Sequence, residues 1–292
     1  MTIATFLRRA ALPGAVCALL LGLPAVPAAL AGDSSSSLTP ARVLSDEWHF
    51  ELGGLWADFN SSFQMSRDKL AGTSVNLEDD LGLSSDTTTW VLNGFWRFGS
   101  ASSVGFAYTS FNRDGSNKLD QSVTIGDTIY DVDARIDSSL DLDFLQLYYR
   151  WSAINNGKTE AGFTFGLSTY KLKASFSGEG TVDGNGEETY RRNAKETEDV
   201  VAPIPVVGLF INYAFTPNLI LMANANFFRI DVSGVSGTVI SSQASLDWYF
   251  TKNFGVGASI FGNNVRTDVS GSTDWNVNVN QSGFGAHASF VF

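Results

Sequence analysis

The sequence has little of what most soluble enzymes and secreted domains rely on. One cysteine among 292 residues excludes an intramolecular disulfide, and two histidines leave little material for a transition-metal site or a histidine-dependent active site. Charged residues are 17% of the chain, and 19 basic residues stand against 30 acidic ones, so no basic footprint for nucleic acid exists. Disorder is disfavoured by 13% aromatic residues. Beyond the first thirty-one residues there is no apolar run of the ~18 residues that a membrane-spanning helix needs, and no convincing helical spacing.

The N-terminus has a different character. Arg8 and Arg9 precede an apolar run from Ala10 to Leu23, and Ala29-Leu30-Ala31 presents small residues before Gly32, the pattern of a signal peptide cleaved after Ala31. Pro13, Pro24 and Pro27 interrupt the segment and argue against a membrane span, and Cys17 leaves with it. Cleavage removes only Arg8 and Arg9 among charged residues, so a formal net charge of −11 becomes −13. Residues 32–47, with Ser34 to Ser37 and Pro40, read as a short periplasmic linker, and residues 48–292 as one domain. An exported chain without cysteine depends on core burial or on closed backbone hydrogen bonding.

What is abundant is alternation with period two. Phe254, Val256, Ala258 and Ile260 alternate with Gly255, Gly257 and Ser259, and similar patterns run through Trp90 to Phe98, Phe163 to Leu167, Leu219 to Phe227 and Ala244 to Phe250. Short turns at 99–102, 155–158, 216–218 and 251–253 alternate with longer connections, above all 67–87 and 178–199. Ten strands follow, at 48–66, 87–98, 103–125, 128–152, 159–177, 200–215, 218–233, 237–250, 253–267 and 275–292. The pattern predicts an all-β, closed antiparallel transmembrane β-barrel of about ten strands, within a range of eight to twelve, because Ser74-Val75-Asn76-Leu77 offers one further excursion. A soluble β-sandwich is the alternative. Against it, Trp96, Trp151, Tyr213 and Trp248 each precede a short turn on the apolar parity of their strand, which predicts a periplasmic aromatic girdle.

The final segment, Phe284-Gly285-Ala286-His287-Ala288-Ser289-Phe290-Val291-Phe292, resembles the terminal strand of Gram-negative outer-membrane β-barrel proteins, with Phe284, Phe290 and Phe292 at alternate positions and smaller Ala286 and Ala288 between them. The resemblance covers residues 48–292 as a pattern and these nine as a motif. It implies recognition of the last strand by the barrel assembly machinery, passage with periplasmic chaperones, and residence in the outer membrane among its lipid and lipopolysaccharide. No subfamily is assigned.

If apolar parity faces lipid, then His49, Glu51, Asn93, Arg97, Asn224, Asn226, Asp247, Asn263 and His287 point into the lumen. Glu51, Arg97 and Asp247 fall near the periplasmic end, where mutual ion pairs form either a charged constriction or a structural polar core. His49 and His287 lie on the first and last strands, neighbours after closure; with only Glu51 nearby they read as hydrogen-bonded seam residues rather than metal ligands, and no cofactor is expected. The parity change at Ala57-Asp58-Phe59 is what a β-bulge or two separate short strands would produce, and the bulge, which turns Phe59, Phe63 and Met65 toward lipid, is the favoured expectation. Residues 67–86 carry a net −3 and residues 178–199 a net −4, and both read as solvated acidic loops. Asp183 to Glu187 fails as a calcium loop, since the sixth position is Glu188 and the twelfth Ala194.

Outer-membrane barrel enzymes place a histidine near the extracellular rim, and no histidine falls there in this chain, so the resemblance implies no catalytic residues and no enzyme. Two roles stand open: a narrow channel or binding barrel for small solutes, and a structural or surface-interaction barrel with a plugged lumen and acidic loops. A general porin needs ~16–18 strands, more than this chain supplies.

Overall fold

The computed structural model describes residues 44–67, 72–125, 128–184, 187–232, 235–270 and 273–292. The signal peptide expected at 1–31 and most of the linker lie outside the described residues. Thirteen strands occur among those described, and no α-helix. They are β1 (Trp48–Arg67), β2 (Val75–Asn76), β3 (Asp86–Arg97), β4 (Ser102–Lys118), β5 (Val123–Ile125), β6 (Thr128–Tyr130), β7 (Arg135–Asn155), β8 (Thr159–Gly184), β9 (Glu187–Thr216), β10 (Leu219–Val232), β11 (Val235–Tyr249), β12 (Phe254–Val269) and β13 (Thr273–Val291).

Ten of these close an antiparallel barrel. Each pairs with the next along the chain, in the order β1, β3, β4, β7, β8, β9, β10, β11, β12, β13, and β13 returns to β1 from His49↔Val291 to Arg67↔Thr273. Closure leaves no open edge, so every central backbone group is paired within the wall, as a lipid environment requires. Tight turns at 98–101, 156–158, 217–218 and 250–253 gather at one end with the start of β1 and the C-terminal Phe292; in the second of these Gly157 takes φ of 78°. This is the end that the sequence pattern assigns to the periplasm.

Two boundaries differ from the sequence pattern. The stretch expected as a loop at 178–199 is a hairpin: β8 runs 26 residues and β9 30, paired as far as Gly184↔Glu187. Thr, Val and Tyr supply enough β-propensity to carry the ladder beyond the barrel rim despite the acidic residues. The third predicted strand instead divides, ending at Lys118 and resuming as β5, which with β6 forms a small hairpin seated on β8.

The bulge expected at Ala57 to Phe59 does not occur. β1 keeps a constant register with both β3 and β13 through that segment, and the register shifts lie elsewhere, at Ser152/Ile154, Gly178/Gly180 and Leu219/Ile220. Odd residues of β1 face inward along its length, so Phe59, Phe63 and Met65 are buried inside, not turned to lipid. What reverses at this level is polarity. Below it the outward residues are apolar, as in Leu52, Trp56, Leu145, Leu147, Phe165, Leu167, Ile260 and Phe284, all exposed. Above it the outward positions become Asp58 and Asn60 on β1, Asp141 and Asp143 on β7, Lys171 and Lys173 on β8, and Asn278 and Asn280 on β13, while Leu140, Leu142, Leu172, Val277 and Val279 turn inward. The change is seen on β1, β7, β8 and β13. It marks the level where the barrel leaves an apolar surrounding for water, and the stretch of β1 from Trp48 to Trp56 below it suits a tilted strand crossing of ~9 residues.

Candidate functional site

The lumen is divided into three storeys. The lowest is closed. Leu44, from the segment before β1, is buried against Ala214, Ile220, Tyr249 and Val291. Its carbonyl accepts a hydrogen bond from Arg97 Nη1 at 2.5 Å, and Arg97 Nη2 pairs with Glu160 Oε2 at 2.9 Å. Ser152 Oγ at 2.7 Å and Asn212 Nδ2 at 3.0 Å donate to the same Glu160 carboxylate. A charge this deep is tolerated only when paired and hydrogen-bonded, and Glu160 is both.

Just above, His49 Nε2 lies 2.9 Å from Glu51 Oε1, and Asn93 donates to Glu51 Oε2 at 3.1 Å. His287 Nε2 lies 2.5 Å from Asp247 Oδ1, and Asp247 also accepts from Ser245 at 2.7 Å and Ser289 at 3.2 Å. All five lumen residues expected near this end are therefore buried inside, but the expected partners are not the observed ones. Arg97 pairs with Glu160 rather than with Glu51 or Asp247, and the two histidines each bond a carboxylate rather than one another. Glu160 was hidden by its place beside the Asn156-Gly157 turn. Arg150 was masked because it lies among aromatic residues; its guanidinium rests 4.8 Å from the Tyr148 ring and 5.1 Å from that of Phe210.

The middle storey is a cavity of about 350 Å³. Its walls are Leu55, Phe59, Val91, Phe111, Leu142, Phe261 and Val279, with Asn224, Asn226, Gln243, Asn263 and Gln281 on one side. Phe59 and Phe111 meet edge to face at 5.3 Å. Asn263 donates to Gln281 at 2.9 Å, whereas Asn226 Oδ1 and Gln281 Nε2 are buried without a hydrogen-bond partner in the protein. The pocket thus has an apolar body and unspent polar groups at one side. This storey was missed because apolar parity was equated with lipid. The visible signal was Leu140-Asp141-Leu142-Asp143, where alternation inverts relative to Leu145 and Leu147 on the same strand.

The top is a folded-in loop. Residues 72–85 turn back into the mouth, with β2 paired to β1 at Phe63↔Val75 and Leu83 bridged to Gly115. Val75, Leu77, Leu81 and Leu83 pack with Met65, Val123, Tyr130, Ile136 and Phe176. The loop reaches this position because Gly82 takes φ of 71° and Gly115, opposite, has no side chain to collide with the Gly82 backbone. Glu78 corrects the reading of this segment as solvated acidic surface. Its Oε1 pairs with Arg113 Nη2 at 2.5 Å, its Oε2 accepts from the Ser61 amide at 2.7 Å, and the two side chains are only 9% and 1% exposed. Arg113 also donates from Nε to the Ser84 carbonyl at 2.8 Å and covers the Phe59 ring at 4.4 Å. The side chains of 179–203 lie outside the described residues.

On the outer surface Trp96, Trp151 and Trp248 are exposed beside the short turns, and Tyr213 shares their level, packed edge-on to Phe215 at 5.1 Å. Trp48 stacks on Trp96 at 5.6 Å. Phe284, Phe290 and Phe292 also face outward along β13 and its end. A second aromatic level, Trp56 stacked on Phe284 at 5.2 Å and Trp90 against Tyr108 at 5.2 Å, stands where the outward polarity changes.

No family model matches the chain, and no curated protein matches it. Solved structures do. The outer membrane protease OmpT of Escherichia coli superposes with a TM-score of 0.52 at 12% identity, over 84% of this chain and 97% of OmpT. The transport unit of the autotransporter AIDA-I from Escherichia coli gives 0.40 at 11% identity, over 96% and 98%. The toluene transporter TodX of P. putida gives 0.37 at 9% identity, over 87% and 93%. At 12% identity the likeness to OmpT is one of fold. The chain has the fold of the Gram-negative outer-membrane β-barrel proteins.

Proposed function

We propose that this outer-membrane barrel is a binding barrel for a small, mainly apolar molecule bearing one or two hydrogen-bonding groups, and that it acts by binding rather than by catalysis. The observation that carries the reading is the apolar cavity of about 350 Å³ inside the lumen, within the ~300–1,000 Å³ usual for ligand sites. A purely structural barrel gains most by filling such a space, since each void forfeits packing energy. The side-chain amides of Asn224 and Gln243 on the polar wall would receive the ligand's polar end, and the aromatic and aliphatic walls its body. Leu44 and the Arg97–Glu160 pair close the lumen below the cavity, which favours a pocket reached from the extracellular side over an open aqueous channel.

2-Naphthol, a two-ring body with one hydroxyl, is a suitable probe. Calorimetric titration into the folded barrel in bicelles, with Leu142→Trp as the filled-cavity control, is expected to show saturable binding that the variant loses. Equal heats from wild type and Leu142→Trp would mean partition into lipid and would overturn the reading.

A further inference from the structure

The polar storey holds a second candidate site, independent of the apolar cavity. Donor atoms of Glu51, Asp247 and His287 all lie within 4.8 Å of one another. They come from β1, β11 and β13; closure pairs β13 with β1, and β12 lies between β13 and β11. The geometry points to a divalent transition-metal site at the base of the lumen, with the Glu51 and Asp247 carboxylates and His287 Nε2 as ligands.

Four observations support this. Two buried carboxylates this close together need compensating positive charge, and a divalent ion shared by both would supply it. Each ligand is also held from behind, as metal ligands are: His49 and Asn93 hydrogen-bond Glu51, while Ser245 and Ser289 hydrogen-bond Asp247. Gly257 on β12 lets the Asp247 and His287 donors converge from the strands on either side, because a Cβ there would collide with both Asp247 Oδ1 and His287 Nε2. Finally, a small polar cavity of about 80 Å³ lies on the Glu51 side of the cluster, lined by His49, Glu51 and Ser245, and offers room for a further small ligand. The mixed nitrogen and oxygen donor set suits zinc or its first-row neighbours better than calcium or magnesium, which prefer oxygen alone. The partner of His287 was not apparent along the chain, since Asp247 is 40 residues away.

The experiment uses the full mature barrel, folded in the presence of zinc and freed of loosely held metal by dialysis, with folding checked by the heat-dependent shift in gel mobility. Elemental analysis is expected to find close to one zinc per chain, falling about tenfold or more in Asp247→Asn and His287→Ala, as loss of a direct ligand requires. Zinc-free wild type, or undiminished zinc in both folded variants, would overturn the site and leave a hydrogen-bonded structural layer. Should the variants fail to fold, wild-type protein loaded with cadmium decides the matter by NMR: one-bond coupling to a histidine Nε2 supports the site, and its absence refutes it. Neither result depends on whether 2-naphthol binds above.

Discussion

The buried pair between Glu78 and Arg113 should hold the loop of residues 72–85 in the barrel mouth, and Glu78→Ala is the perturbation that tests it. The substitution removes the 2.5 Å contact to Arg113 Nη2 and the acceptor of the Ser61 amide at 2.7 Å. Breaking one side of a buried pair costs ~3–5 kcal/mol, because the surviving charge is left without compensation. Arg113 keeps the Ser84 carbonyl and the Phe59 ring, so the lower end applies, about 3 kcal/mol. At ~1.4 kcal/mol per factor of ten, the open population of the loop rises about 100-fold. Amide hydrogen exchange reads this directly. The Leu77 amide bonded to the Ser61 carbonyl, the Leu83 amide bonded to Leu77 and the Thr73 amide bonded to Thr124 should lose about two orders of magnitude of protection. Amides of the β10–β11 ladder should not change. A Glu78→Leu, Arg113→Met double variant should regain most of the protection, since an apolar pair of similar volume can replace a buried ion pair. Unchanged protection of Leu77 and Leu83 in Glu78→Ala would refute the latch.

Other consequences follow from the same geometry. Leu147→Arg, on the apolar belt, should destabilise the barrel in vesicles by ~2–4 kcal/mol in urea unfolding, whereas Asp141→Arg, outward on the same strand but above the polarity change, should cost under ~1 kcal/mol; equal costs would misplace the membrane boundary. Arg97→Ala leaves Glu160 buried with only neutral donors and should cost about 3 kcal/mol, mostly restored by adding Glu160→Leu; a neutral single variant would remove the pair from the account of the plug. Planar-bilayer recording of the folded protein should show no discrete conductance steps, because Leu44, Ile220 and Tyr249 fill the base; steady steps from wild type would show the base to be open.

Much of the wall was legible in the sequence, because a strand with one face in lipid must alternate and short turns need Asn, Gly and Pro. Strands such as 253–267 and 275–292 were placed within a few residues for that reason. The Phe284-to-Phe292 motif and the tryptophans beside the turns also pointed to the fold. The interior was less legible. Alternation shows which residues share a face but not which face is outside, and above the membrane the apolar face is the inner one. Phe59, Phe63 and Met65 were therefore assigned to lipid through a bulge that the constant register of β1 excludes. Partners across the lumen escaped for another reason: Arg97 meets Glu160, and Glu78 meets Arg113, across 63 and 35 residues of chain, where only closure decides who is near. The acidic composition of 178–199 suggested a loop, but backbone pairing continued through it.

The central claim is that a small apolar molecule occupies the lumen between the polar base and the latched loop. The most direct test is intermolecular NOE measurement with 2-naphthol on methyl-labelled protein in deuterated bicelles. Ring protons should give NOEs to the methyls of Leu55, Leu142 and Val279, and the hydroxyl end should shift the side-chain amides of Asn224 and Gln243. NOEs confined to outward methyls such as Leu147 and Leu209, with none inside, would contradict it.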